Sequence, residues 1–135
     1  MKILMPVLSV KDHSPHFVDK AVAKGSVVYV LLVLDSSSSR GGFGFKTSDI
    51  MKGRVVVDSI KEQVKGKKKL CHDILEWGPT IEKIAQIAEM KQVGEIVVHN
   101  PEGELSIHQL VKDMSQSTRI PIRIVEGKEI IPTRN

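Results

Sequence analysis

Strand-length apolar runs alternate along this chain with stretches whose apolar residues recur at helical spacing, and no other feature constrains the fold as much. Lys2–Leu8 and Val27–Leu34 are nearly continuous apolar runs, the pattern of strands buried on both faces. Between them, Ser14 supplies a helix N-cap and Pro15 a proline at the first helical position. Phe17, Val18, Ala21 and Val22 follow at helical spacing, and Gly25 is expected to close the helix. Two apolar runs joined by such a helix make a βαβ unit, with parallel strands and a right-handed crossover.

The alternation continues to the end of the chain. Thr47 or Ser48 opens a longer helix reaching about Lys65, with Ile50, Val57, Ile60 and Val64 as its buried stripe; Gly53 and the Val55–Val57 triplet weaken its early turns. Leu70–Trp77 reads as a third strand, with Cys71, Asp73 and Leu75 on one face and His72, Ile74 and Glu76 on the other. After the turn Gly78-Pro79-Thr80, a helix from Ile81 to Met90 carries Ile81, Ile84, Ala85 and Ala88, and Gly94 is expected to end it. Glu95–His99 is the fourth strand. Leu105–Met114 is a helix through Leu105, Ile107, Leu110, Val111 and Met114, and Ile120–Val125 is the fifth strand. The expectation is one three-layer α/β domain over residues 1–135, a parallel sheet with helices on both faces. In the tail, Glu126–Asn135, the pair Ile130-Ile131 suits a small edge strand or a partner contact.

Composition narrows the partners. The 135 residues are 41% hydrophobic and 27% charged, with a net charge of +4. The densest basic run, Lys65-Gly66-Lys67-Lys68-Lys69, falls at a helix end, where cations suit the macrodipole. Only 4% of residues are aromatic, so the aromatic interleaving of a single-strand nucleic-acid site is missing, and nucleic acid is not expected as a partner. No apolar run approaches the ~20 residues of a membrane span. The start, Met1 to Pro6, is too quickly broken for a signal peptide, and the one cysteine, Cys71, fits a reducing interior, so a cytoplasmic location is expected.

Ile3-Leu4-Met5-Pro6-Val7, Trp77-Gly78-Pro79-Thr80 before a helix, Glu95-Ile96-Val97-Val98, and Ile120-Pro121-Ile122-Arg123-Ile124-Val125 occur in an order and spacing that resembles the universal stress protein family over nearly the whole chain. The resemblance implies a five-stranded sheet of order 3-2-1-4-5, the adenine nucleotide alpha hydrolase-like architecture, with strands one and four flanking the switch point. It also implies homodimers paired through strand five, here Ile120, Ile122, Ile124 and Val125. Many members bind ATP, and here the sequence departs from them. Their first strand ends Pro-Val-Asp where this chain has Pro6-Val7-Leu8. Their Gly-x2-Gly-x9-Gly-Ser/Thr run is matched by His99, Glu102, Lys112 and Asp113. Such glycines let backbone N–H groups approach phosphates, whereas Glu102 and Glu104 put carboxylates there, so ATP is disfavoured and no cofactor is expected.

In open α/β sheets ligands gather where strands end and strand order reverses. Leu8, Ser9, Asp35, His99, Asn100 and Gly103 are therefore the candidate ligand-binding residues. His99, beside Asn100, Ser9 and Asp12, is either a ligand-contacting imidazole or a histidine that hydrogen-bonds across a closed crevice and fills it. The glycine-rich stretch Arg40 to Lys46 follows strand two. It reads as a surface loop, a lid meeting an anion through Arg40 or Lys46, or, through Phe43 and Phe45, a partner contact. His13 with His16, or Cys71 with His72 and Asp73, would be poor metal ligands by geometry, so no metal is expected. Cys71 lacks a base on its own face, Ser36–Ser39 lack a nucleophile-elbow pattern, and no catalytic residue is assigned. The expected function is a homodimeric regulatory or interaction module, not an enzyme, that does not bind ATP in the family's manner. The alternative is a small-ligand or nucleotide-binding protein using the remodelled pocket at the ends of strands one and four.

Overall fold

The computed structural model describes residues 1–36 and 44–127. Ser37 to Phe43, with Arg40 among them, and the tail from residue 128, with Ile130 and Ile131, lie outside the described residues. Five parallel strands, β1 (Lys2–Pro6), β2 (Val27–Leu34), β3 (Leu70–Trp77), β4 (Glu95–Asn100) and β5 (Ile122–Glu126), form one sheet of order β3-β2-β1-β4-β5. Helices α1 (Pro15–Val22), α2 (Ile50–Gly66), α3 (Thr80–Lys91) and α4 (Leu105–Ser115) connect them, α2 being entered through a 3-10 turn at Thr47–Asp49. This is the expected three-layer architecture and strand order.

Alternation along the strands divides the core between the two faces. Ile3 and Met5 of β1, Val30 and Leu32 of β2 and Val97 of β4 pack with Phe17, Val57 and Ile60 of α1 and α2. Leu4, Leu31, Ile96 and Val98 pack with Ile84, Ile107, Leu110 and Met114 of α3 and α4. On β3, Cys71 and Leu75 join the first cluster and Ile74 the second, as their alternation requires. β1 pairs with β2 over its whole length. With β4 it pairs only through Ile3–Glu95 and Leu4–Ile96, so the strand order reverses where the sheet is least tied together.

Several expectations are corrected. β1 stops at Pro6 rather than Leu8, because the Leu8 N–H turns out of the ladder to the Asp12 carboxylate, 2.7 Å away. Gly25 and Gly94 do not terminate their helices. The C-cap of α1 is Ala23, and α3 ends on Gln92 in the left-handed region at φ 54°. Gly25 is instead a close approach, where a Cβ would stand 2.8 Å from Ile3 Cδ1. Gly53, read as a weakness, is another: a Cβ would meet Leu32 Cδ1 at 2.7 Å, so glycine lets α2 lie close to the sheet. Leu105 is no part of the α4 stripe. It begins the helix, 83% exposed, while Ile107, Leu110 and Met114 are buried. Ile120 precedes β5, its N–H bonded to the Thr118 hydroxyl. Phe45 is buried against β2, forming a bridge with Leu34, so it is core and not an exposed contact.

The lysine run is tied back to the protein. Lys67 pairs with Asp19 of α1, and Lys69 donates to the Val22 and Ala23 carbonyls at the end of that helix. Arg123 donates to Lys20 and Ala21 carbonyls at the same end, so the negative pole of α1 meets cations from two directions. No helix among the described residues is long and apolar enough to cross a membrane.

Candidate functional site

Asp12 and His99 fill the crevice between β1 and β4. The loop Leu8 to Ser14 folds back on itself because the Asp12 side chain gathers its donors. Asp12 Oδ2 accepts from Leu8 N–H at 2.7 Å and Ser9 N–H at 3.1 Å, and Oδ1 from the Ser9 hydroxyl at 3.2 Å. That loop delivers Ser14 to its capping position, where its hydroxyl accepts from Phe17 N–H at 3.2 Å and α1 begins at Pro15. His99 is the penultimate residue of β4, and its Nδ1 lies 3.0 Å from Asp12 Oδ1. Phe17 stacks on the imidazole with centroids 4.3 Å apart and planes 16° from parallel. Asp12 is 2% exposed and His99 5%.

Hydrogen-bond directions follow from that network. The other groups on the Asp12 oxygens are donors, which marks the side chain as an acceptor. Nδ1 of His99 then carries a hydrogen, and in the neutral ring the lone pair is on Nε2. His99 thus hydrogen-bonds across the crevice, as one of the two descriptions derived from the sequence has it, and it also lines a cavity.

Two spaces adjoin it. The crevice proper keeps about 90 Å³, lined by Leu8, Ser9, Asp12, His99, Asn100 and Glu104 among others. A larger open cleft of about 550 Å³ lies beside it, between the start of α1 and the loop after β4. Its walls are Val10, Lys11, His13, Ser14, Pro15, His16, His99, Pro101, Glu102 and Gly127.

Of the candidate ligand residues, Leu8, Ser9, His99 and Asn100 come together around the small space, while Asp35 and Gly103 line neither cavity. Asp35 is occupied at the start of α3, where its Oδ2 accepts from the Thr80 N–H at 3.2 Å and hydroxyl at 3.4 Å. Gly103 makes the turn after β4, at φ 64°. Asn100, 1% exposed, locks that turn: its Oδ1 accepts from Glu104 N–H at 2.9 Å and its Nδ2 donates to Glu104 O at 3.1 Å. Lys11 reaches Glu102 across the cleft mouth at 3.6 Å. The cleft walls Val10, Lys11, Pro15, His16 and Pro101 were not singled out as ligand residues in the sequence. The available signal was the Ser14-Pro15 cap, which brings the start of α1 beside the end of a central strand.

The other candidates separate. His13 Nδ1 lies 3.0 Å from the Ser59 hydroxyl, and no group of potential metal ligands occurs among the described residues. Burial pushes the Cys71 thiol up to about 11, the opposite of what a nucleophile needs. Lys61, hydrogen-bonded to Asp73 at 2.7 Å, holds that carboxyl below the usual carboxylate range. Among the expected dimer residues, Ile122 and Ile124 on edge strand β5 are partly exposed. Val125 is 5% exposed, its side chain in the core.

No protein-family model matches this chain, and no curated protein does. Solved structures do. A universal stress protein in complex with cAMP aligns with TM-score 0.66 at 12% identity, over 95% of this chain and 98% of that one. The universal stress protein from Archaeoglobus fulgidus in complex with dAMP aligns at 0.65 and 15% identity, over 92% and 96%. A protein of the universal stress protein family from Burkholderia pseudomallei aligns at 0.65 and 17%, over 92% and 94%. The chain has the fold of these proteins.

Proposed function

We propose that this protein is a universal-stress-protein-like regulatory or interaction module that does not bind ATP in that family's manner. The observation that carries the reading is Asp12. Its buried carboxylate takes the Leu8 and Ser9 N–H groups and the His99 imidazole at the place where the fold keeps its ligands. The remaining crevice, about 90 Å³, holds about three waters, against the roughly 300–1,000 Å³ of small-molecule sites. Glu104 on its wall adds a carboxylate where a phosphate would lie. A homodimer through β5 completes the proposal: pairing two edge strands would satisfy the outer backbone groups and cover Ile122 and Ile124. The absence of catalysis and a cytoplasmic location belong to the same reading.

The test is thermal unfolding and calorimetric titration with ATP, cAMP and dAMP. A ligand at a hundred times its dissociation constant adds about 2.7 kcal/mol of stability, and none is expected from these nucleotides. A saturable heat with ATP, lost on Asn100→Ala, would refute the reading. The open cleft of about 550 Å³ favours a second reading, that the protein binds some other small ligand. A metabolite panel read by thermal shift separates it from a pure interaction module.

A further inference from the structure

The cleft beside the crevice has its own chemistry. His99 forms part of its wall, yet the residue is 95% buried, and everything else about the ring is fixed: Phe17 stacks on its face and Asp12 holds Nδ1. Nε2 has no hydrogen-bond partner among the described residues. The neutral imidazole with its hydrogen on Nδ1 presents a lone pair at Nε2, and the group that matches it is a donor, a hydroxyl or an N–H. Around it, Val10, Pro15 and Pro101 make the wall largely apolar.

The positive part of the polar rim is Lys11 and the start of α1, whose first turn contains no acidic residue. Pro15 has no N–H and the Phe17 N–H is taken by Ser14, which leaves the His16 N–H as the donor of that turn. Glu102 opposes this charge, but its pair with Lys11 at 3.6 Å is exposed, and exposed pairs contribute little and exchange readily.

We infer that this cleft binds a small organic acid with an apolar body and a hydroxyl or N–H donor. The anionic end meets Lys11 and the start of α1, and the donor is read by His99 Nε2. This rests on the second, small-ligand reading above. It differs from the nucleotide crevice in position and in the chemistry it selects, because an acceptor of fixed orientation rewards a donor that a bare carboxylate lacks. Asp12 is a positioning residue, acting through the tautomer it imposes on His99.

The full-length, ¹⁵N-labelled chain is titrated with 4-hydroxybenzoate, with benzoate (no donor) and with 4-hydroxybenzyl alcohol (no charge). Amide signals of Val10, Lys11, His16, Glu102 and Gly127 report the cleft, and the ring nitrogens of His99 report the donor. The expected result is movement of those signals, with 4-hydroxybenzoate binding about tenfold more tightly than either comparator. Lys11→Met should weaken both acids several-fold and leave the alcohol unchanged. Asp12→Asn turns Nε2 into a donor that the hydroxyl meets as an acceptor, so 4-methoxybenzoate, which has no hydrogen to give and should bind poorly to the unsubstituted protein, should then bind about as well as 4-hydroxybenzoate. Equal affinity for benzoate and 4-hydroxybenzoate would overturn the assigned chemistry while leaving the small-ligand reading standing. Silence of the cleft with all probes would overturn this inference. If a compound of the metabolite panel then moved Leu8, Ser9 and Asn100, the broader reading would survive alone; silence there too would remove both.

Discussion

Replacing Asp12 by alanine and by asparagine separates what this side chain does for stability from what it does to His99. Alanine removes the acceptor for Leu8 N–H and for His99 Nδ1, both buried, and for the part-buried Ser9 groups. A buried donor left without a partner costs about 1–3 kcal/mol, so two of them predict a loss of about 2–6 kcal/mol. The emptied volume adds to that unless water enters. Against a total stability of about 5–15 kcal/mol, this is a large part of the fold, and the midpoint of urea unfolding should fall by roughly 2 M. Asparagine keeps the shape. Its carbonyl oxygen can serve Leu8 and Ser9, leaving the amide to donate to the Ser9 hydroxyl and to His99 Nδ1. The histidine must then accept there, and its hydrogen moves to Nε2. The expected cost is only about 1–2 kcal/mol, while the ring ¹⁵N shifts exchange their protonated and bare positions. Circular dichroism in urea measures the first quantity and two-bond ¹H–¹⁵N spectra the second. A loss below about 1 kcal/mol for Asp12→Ala, or an unchanged tautomer in Asp12→Asn, would refute the reasoning.

Gly53→Ala should destabilise by about 1 kcal/mol in chemical unfolding, since the crowding against Leu32 outweighs the roughly 1 kcal/mol of helix propensity gained; a stabilised variant would show that α2 can lift away. Asn100→Ala should cost about 1–3 kcal/mol by leaving the Glu104 N–H unserved, with amide exchange accelerating first in the turn before α4. Cys71, with a thiol raised from 9.0 to about 11, should react with a disulfide reagent at pH 8 roughly a hundredfold more slowly than a free thiol. Because the unfolded thiol ionises first, its contribution to stability is complete below about pH 9 and is lost as the pH rises toward about 11. Ile124→Lys on the edge strand should shift sedimentation at micromolar concentration from dimer to monomer; a wild-type monomer would remove the dimer proposal.

Val27–Leu34 was legible because a strand buried on both faces is written as a near-continuous apolar run, and Leu70–Trp77, a partly exposed edge strand of mixed polarity, also matches the structure end to end. Helix ends were not. Gly25 and Gly94 look like terminators, but a glycine required by close packing reads the same as one required by a turn. Gln92, which does adopt the left-handed conformation, is not a residue that announces it. Register also misled at Leu105, because the apolar period starts two positions before burial begins at Ile107. At the site, His99 was found from its place at the end of a central strand, and Asp12 was named near it. Their bond joins residues 87 positions apart and depends on how the loop before α1 folds back. Spacing along the chain carries no record of that. Asp35 shows the same limit: a carboxylate after β2 can serve the ligand face or the start of α3, and only the fold shows that its Oδ2 accepts from Thr80.

What the crevice contains follows from a constraint that every parallel sheet of this order meets. Where β1 and β4 part, backbone donors at the end of β1 lose their ladder partners, and a buried N–H without a partner is not tolerated. Something must accept from them. A bound anion can do so, but the fold is then more stable with its ligand than without it, by an amount set by ligand concentration. In this chain the acceptor is Asp12, supplied by the loop itself, and His99 and Phe17 fill the space above it. These donors are therefore satisfied by the chain itself, with no bound anion needed to accept from them. The imidazole used for that purpose also forms part of the wall of the larger cleft. The residue that closes one site thereby becomes the recognition element of its neighbour, and Asp12→Asn is the substitution in which the two roles come apart.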